Sequence, residues 1–139
     1  MVIDTQLTVS LIDKDRLITA LDRALGSWAT YAPYLEFFRS RLRESRPVPP
    51  QRVPDDVITM NTRFAVRDDQ TSEVMSYTLV YPEDEAPHDG KLSALSPMGM
   101  ALFGARVGEE VCWVSSTGPH VVTVEELHYQ PEAAGHLDR

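Results

Sequence analysis

The sequence predicts an α+β fold: a short N-terminal antiparallel helical hairpin, then an antiparallel sheet with one helix. Three observations carry that reading. Apolar residues recur every three to four positions before residue 47 and every two positions after residue 54. Between them, Pro47, Pro49, Pro50 and Pro54 fall within eight residues. In the second part a single Ser-Pro helix start, Ser96-Pro97, stands among strand-forming runs.

In the first helix Leu17, Ile18, Leu21, Ala24 and Leu25 form one apolar stripe, with Asp13 as the expected N-cap and Gly26 as the stop. The second carries Leu35, Phe38 and Leu42, extended by Tyr34, with Pro33 in its first turn, where a missing amide costs nothing. Each helix is about 13 residues, or ~20 Å, so the hairpin is a stub. The prolines then remove donors and fix φ, which stops helix and central strand alike. The expected organisation is a hairpin over residues 1–46, a proline-rich linker over 47–54 and a β-rich domain over 55–139.

Past the linker, Ile58, Met60, Phe64 and Val66 alternate with a gap at Thr62, and the run ends at Asp68-Asp69-Gln70. A second strand covers residues 74–81. Residues 82–90, with Glu83, Asp84, Glu85 and Asp89, read as an acidic surface loop. A short strand over 91–95 precedes the Ser96-capped helix, expected to reach residue 106. Two more strands, 111–115 and 120–129, are joined by a Thr117-Gly118-Pro119 hairpin loop.

The 139 residues carry 13 Lys and Arg against 21 Asp and Glu, net −8. Residues 1–52 hold eight basic and six acidic side chains, whereas residues 53–139 hold five and fifteen. Such a chain is repelled by phosphate backbones, which argues against autonomous high-affinity nucleic-acid binding. Arg39, Arg41 and Arg43 could touch a channel wall or nucleic acid locally; a solvated helix face is the preferred reading. No apolar run approaches the ~20 residues of a membrane span, and Asp4 sits where a signal peptide needs positive charge. A cytoplasmic monomer is expected.

Reactive chemistry is missing from the pattern. His88, His120, His128 and His136 lack metal-ligand spacing, and His120 and His128 are ~26 Å apart along an extended strand. There is no glycine-rich phosphate loop and no nucleophile elbow. Cys112, beside Trp113 in an expected strand, reads as a small buried hydrophobe. The reading is of a non-enzyme with no metal and no cofactor.

The run from Ser96 to Gly108 fits Ser-Pro-x-Gly-x-Ala-Leu-x-Gly-x-x-Val-Gly. With the stretches at 57–61, 78–82 and 129–135, it resembles the GreA/GreB transcription elongation factor family and, within it, the Rnk group, the regulators of nucleoside diphosphate kinase. Part of this motif serves the fold in any case: Ser96 and Pro97 start a helix, and Gly99 and Gly104 permit close packing. The resemblance implies an FKBP-like body that docks on RNA polymerase at the rim helices of the large subunit, beside the secondary channel. It places polymerase contacts at Leu95, Ser96 and Pro97, with Leu95 where the family typically has aspartate. In Gre factors the hairpin tip supplies acidic residues to a metal at the polymerase active site. Here the tip, residues 26–32 with Trp28 and Tyr31, has no carboxylate. A polymerase-binding regulator that competes with Gre factors without stimulating transcript cleavage is therefore expected. Its rivals are an FKBP-like prolyl isomerase using Phe64, Tyr77, Tyr81, Phe103, Trp113 or Tyr129, and an interaction module for another partner, such as the kinase itself.

Overall fold

The structure is a computed structural model that describes residues 7–26, 33–115 and 117–136. Strand β1 (Thr8–Ser10) leads directly into helix α1 (Leu11–Leu25), and α2 (Pro33–Arg43) returns antiparallel to it. The cap of α1 is Ser10 and not Asp13: the Ser10 hydroxyl accepts the Asp13 N–H at 3.0 Å. Asp13 thereby lies in the first turn, where its carboxylate is turned inward. Ser10→Ala is expected to lower stability by about 1 kcal/mol; an unchanged urea midpoint would rule out this cap.

Part of the proline stretch is ordered into the fold. Strand β2 (Arg46–Val48) pairs in parallel with β1, Thr8 facing Arg46, and Pro50–Arg52 make a 3-10 turn. Leu17 and Leu21 of α1 and Leu35, Phe38 and Leu42 of α2 join Ile58, Phe64, Leu79 and Leu102 in one buried cluster. Phe38 meets Phe103 edge-on, with ring centroids 6.0 Å apart.

The main sheet contains β3 (Arg63–Asp68), β4 (Val74–Val80), β5 (Lys91–Ser93), β6 (Glu110–Ser115) and β7 (Gly118–Tyr129), in the order β5-β4-β3-β7-β6. Three of its four pairings are antiparallel, as predicted. The fourth is not: β5 lies parallel to β4, Thr78 facing Lys91. The acidic segment is the reason. Its two 3-10 turns, Pro82–Asp84 and Pro87–Asp89, followed by left-handed Gly90, carry the chain back along β4 instead of reversing it in a hairpin.

The first strand also starts later than the alternation implies. Residues 59–62 form a turn in which the Thr62 hydroxyl accepts the Thr59 N–H at 2.9 Å, and Asn61 takes φ +64°. The gap at Thr62 in the apolar pattern is this turn. Helix α3 (Pro97–Leu102) ends four residues early, because Gly104 at φ +85° turns the chain away. Among the described residues, no helix is long and apolar enough to cross a membrane.

Candidate partner-docking surface

Helix α3 begins in a tightly bonded turn. The Ser96 hydroxyl accepts the Gly99 N–H at 3.0 Å and donates to the Ser93 carbonyl at 2.7 Å, while the Leu95 N–H donates to the Ser93 hydroxyl. Ser96 thus spends its hydrogen-bonding capacity mainly on the fold. Leu95 packs half-buried against the core, and Pro97 is exposed. Of the three residues, Pro97 offers the most free surface.

The arginines of α2 divide. Arg39 donates to Asp22 at 2.7 Å and also pairs with Glu36, so it ties α2 to α1. Asp22, bonded to it, raises the Arg39 pKa above the usual guanidinium value. Arg43 approaches the same Asp22 at 3.9 Å. Arg41 makes no ion pair among the described residues and lines an apolar groove. Trp28 and Tyr31, expected at the hairpin tip, lie outside the described residues.

That groove is about 620 Å³ and lies between α2, α3 and β6. Tyr34 and Phe37 form its α2 wall, Pro97 and Met100 lie on α3, and Trp113 and Val114 come from β6. Phe37 is 67% exposed and Val114 72%. Tyr34, which extends the α2 stripe in the sequence, is exposed with them. Cys112 lies here too, and it is exposed, not buried as predicted. Strand periodicity identified a strand around Cys112 but could not show that it is the outermost one. Nor could it show that Cys112 faces away from the core side held by Val111.

Two other clusters were invisible in the sequence. Asp13, 2% exposed, accepts the Met60 N–H at 3.2 Å and the Tyr81 hydroxyl at 3.3 Å. Burial, reinforced by nearby Glu132, raises its pKa to about 7. Burial followed by the Asp13 charge drives the Tyr81 phenol pKa up as well. On the opposite end of the sheet, His120 stacks on Trp113 at 5.2 Å, and its Nε2 lies 2.7 Å from the Ser115 hydroxyl. The aromatics of the isomerase reading do not gather round a ligand space: Phe64, Tyr81 and Phe103 are core residues. Among the described residues, no three His, Cys, Asp or Glu side chains are grouped to hold a metal ion.

A helical hairpin seated on a five-stranded mixed sheet with one Ser-Pro-capped helix is an architecture this chain shares with a class of transcription elongation factors. The family model for the transcription elongation factor GreA/GreB C-terminal region matches residues 53–129, and the chain belongs to that family. It is 38% identical over 104 residues to the regulator of nucleoside diphosphate kinase of Escherichia coli strain K12, spanning 74% of this chain and 76% of that one. It is also 38% identical over 82 residues to the elongation factor GreA of Chlorobium phaeobacteroides, covering 58% of this chain and 47% of GreA. Among solved structures, a prokaryotic transcription elongation factor GreA/GreB from Nitrosomonas europaea superposes with a TM-score of 0.75 at 29% identity. The match covers 91% of this chain and all of that one.

Proposed function

We propose that the protein is an RNA polymerase-binding transcription regulator of the Rnk and Gre type. It docks beside the secondary channel, on the rim helices of the large subunit, and competes there with Gre factors without stimulating transcript cleavage. Family membership supports the partner and the cytoplasmic place of action. The dock is the Leu95, Ser96 and Pro97 turn, with Pro97 as its exposed apolar element.

One observation carries the absence of cleavage stimulation. A divalent cation needs close anionic oxygen ligands. The tip sequence from 26 to 32 has none, and the nearest carboxylates on either side, Asp22 and Glu36, are both paired with Arg39. The tip sequence and its two flanking carboxylates bring no free acid to a metal.

The test uses purified core polymerase and backtracked elongation complexes. The protein is expected to bind polymerase, to be displaced by a GreA or GreB competitor, and to leave the RNA-cleavage rate at its intrinsic value. Cleavage accelerated by this protein alone would overturn the silent-hairpin reading. Binding that is indifferent to the competitor would overturn the shared dock.

A further inference from the structure

Strand β6 is an outer strand of the sheet, and its free edge is unguarded. The Val121 carbonyl accepts the Asp69 N–H, on the β3 side, while Val124 exchanges hydrogen bonds with Gly108 and Glu109. The antiparallel ladder alternates, so Val111, Trp113 and Ser115 bond to β7, and the backbone groups of Cys112 and Val114 point away from it. Pro119 faces Val114 and has no N–H to give, in keeping with that register. Among the described residues, the Cys112 and Val114 amides have no other backbone partner.

Outer strands ordinarily discourage pairing with lysine, proline or a bulge. From Glu110 to Ser115, β6 has none of these. Its only charged side chain, Glu110, lies against Asp69. The groove beside it is lined by the four consecutive residues 112–115. Successive strand side chains point to opposite faces, so a groove that touches all four runs along the edge.

We propose that the β6 edge and the facing wall of α2 form a strand-addition site for an extended, apolar and acidic segment of a partner protein. The backbone of Cys112 and Val114 supplies the ladder, and Phe37, Tyr34 and Val114 cover the apolar side chains of the added strand. Charge selects the occupant. Among the described residues, Arg41 is the one charged residue lining the groove and makes no ion pair, so a carboxylate on the incoming segment completes it. Two whole copies of this chain, each at −8, repel one another more than a short segment with one or two carboxylates is repelled, which disfavours self-pairing through β6. The site shares Pro97 with the proposed dock but goes beyond the polymerase reading, because recognition lies in the β6 backbone and Arg41.

The probe is a fluorescein-labelled hexapeptide alternating valine with glutamate and threonine, followed by anisotropy, alongside hydrogen exchange of the full chain. Binding is expected to protect the Cys112 and Val114 amides. N-methylation of the peptide nitrogens that face β6 should abolish it. Val114→Pro removes an outward N–H together with part of the apolar cover, takes no donor from the β7 ladder, and should weaken binding at least tenfold. Arg41→Glu should reverse the preference to a lysine-bearing peptide. No binding, equal binding of the N-methylated peptide, or protection that appears with protein concentration alone would each overturn the proposal. If Val114→Pro fails to fold, the N-methylated peptide and Arg41→Glu still decide.

Discussion

Gly99→Ala is expected to cost at least 3 kcal/mol, a large share of the roughly 5–15 kcal/mol that holds a domain of this size together. A Cβ on Gly99 would sit 2.0 Å from the Ser93 carbonyl oxygen and 2.9 Å from the Ala94 Cα. Both are backbone atoms, so no rotamer change relieves the contact. The Ser93 oxygen already accepts the Ser96 amide and hydroxyl. Moving it would therefore undo the cap of α3 and the β5–α3 connection together. Helix α3 would lift from β6 and withdraw Met100 and Leu102 from the core. Gly108 provides the control: nothing lies within 4 Å of its added Cβ, and only its φ of +91° is strained. Gly108→Ala should then cost about 1–2 kcal/mol. Urea unfolding of the two variants separates these cases, and a Gly99→Ala loss no greater than that of Gly108→Ala would refute the close approach.

The glycine was readable because its cause is local. Ser96, Pro97 and Gly99 lie within four residues, and helix-start chemistry plus a small residue at the packing face already describes α3. The cap of α1 was equally local and yet misplaced. Ser10 and Asp13 are both good N-caps, three residues apart, and the apolar stripe beginning at Leu17 does not discriminate between them. The spacing itself held the missing signal, since a serine followed three residues later by an acid resembles a capping box. Non-local features left weaker traces. The parallel pairing of β5 depends on how ten residues fold back over β4, and no period records that. Cys112 and Val114 look like any alternating strand until the order of strands shows that β6 is outermost.

The candidate surface divides along the same line. The arginines of α2 stand out as a cluster in one dimension. Which of them is free depends on Asp22, seventeen residues before Arg39 and across the hairpin. Arg39 is consumed by that contact and Arg41 is not, so the role of a charge here is set by tertiary pairing and not by its neighbours in sequence.

The buried acid of α1 sets the pH dependence of stability. Asp13 joins the start of α1 to the body through the Met60 amide and the Tyr81 hydroxyl, 47 and 68 residues away. Its pKa is raised from 3.8 to about 7, first by burial and then by Glu132; the Met60 and Tyr81 hydrogen bonds and the Arg16 charge oppose the rise without cancelling it. A raised carboxyl pKa means that the folded chain holds the proton more tightly than the unfolded chain. Asp13 therefore reduces stability progressively as pH rises from about 4 to about 7, with no further change above. The interval corresponds to an upper value of about 4 kcal/mol. Asp13→Asn keeps an acceptor for the Met60 amide and cannot ionise. Its urea midpoint should lie near that of the wild type at pH 4, begin to exceed it by pH 5 and lie well above it at pH 8. The same experiment tests the link between hairpin and body, because hydrogen exchange at Met60 should quicken with pH in the wild type beyond the intrinsic rate and not in the variant. Parallel stability curves for the two proteins from pH 5 to 8 would mean that Asp13 stays ionised in the fold, and the carboxyl would then be solvated in a way its 2% exposure denies.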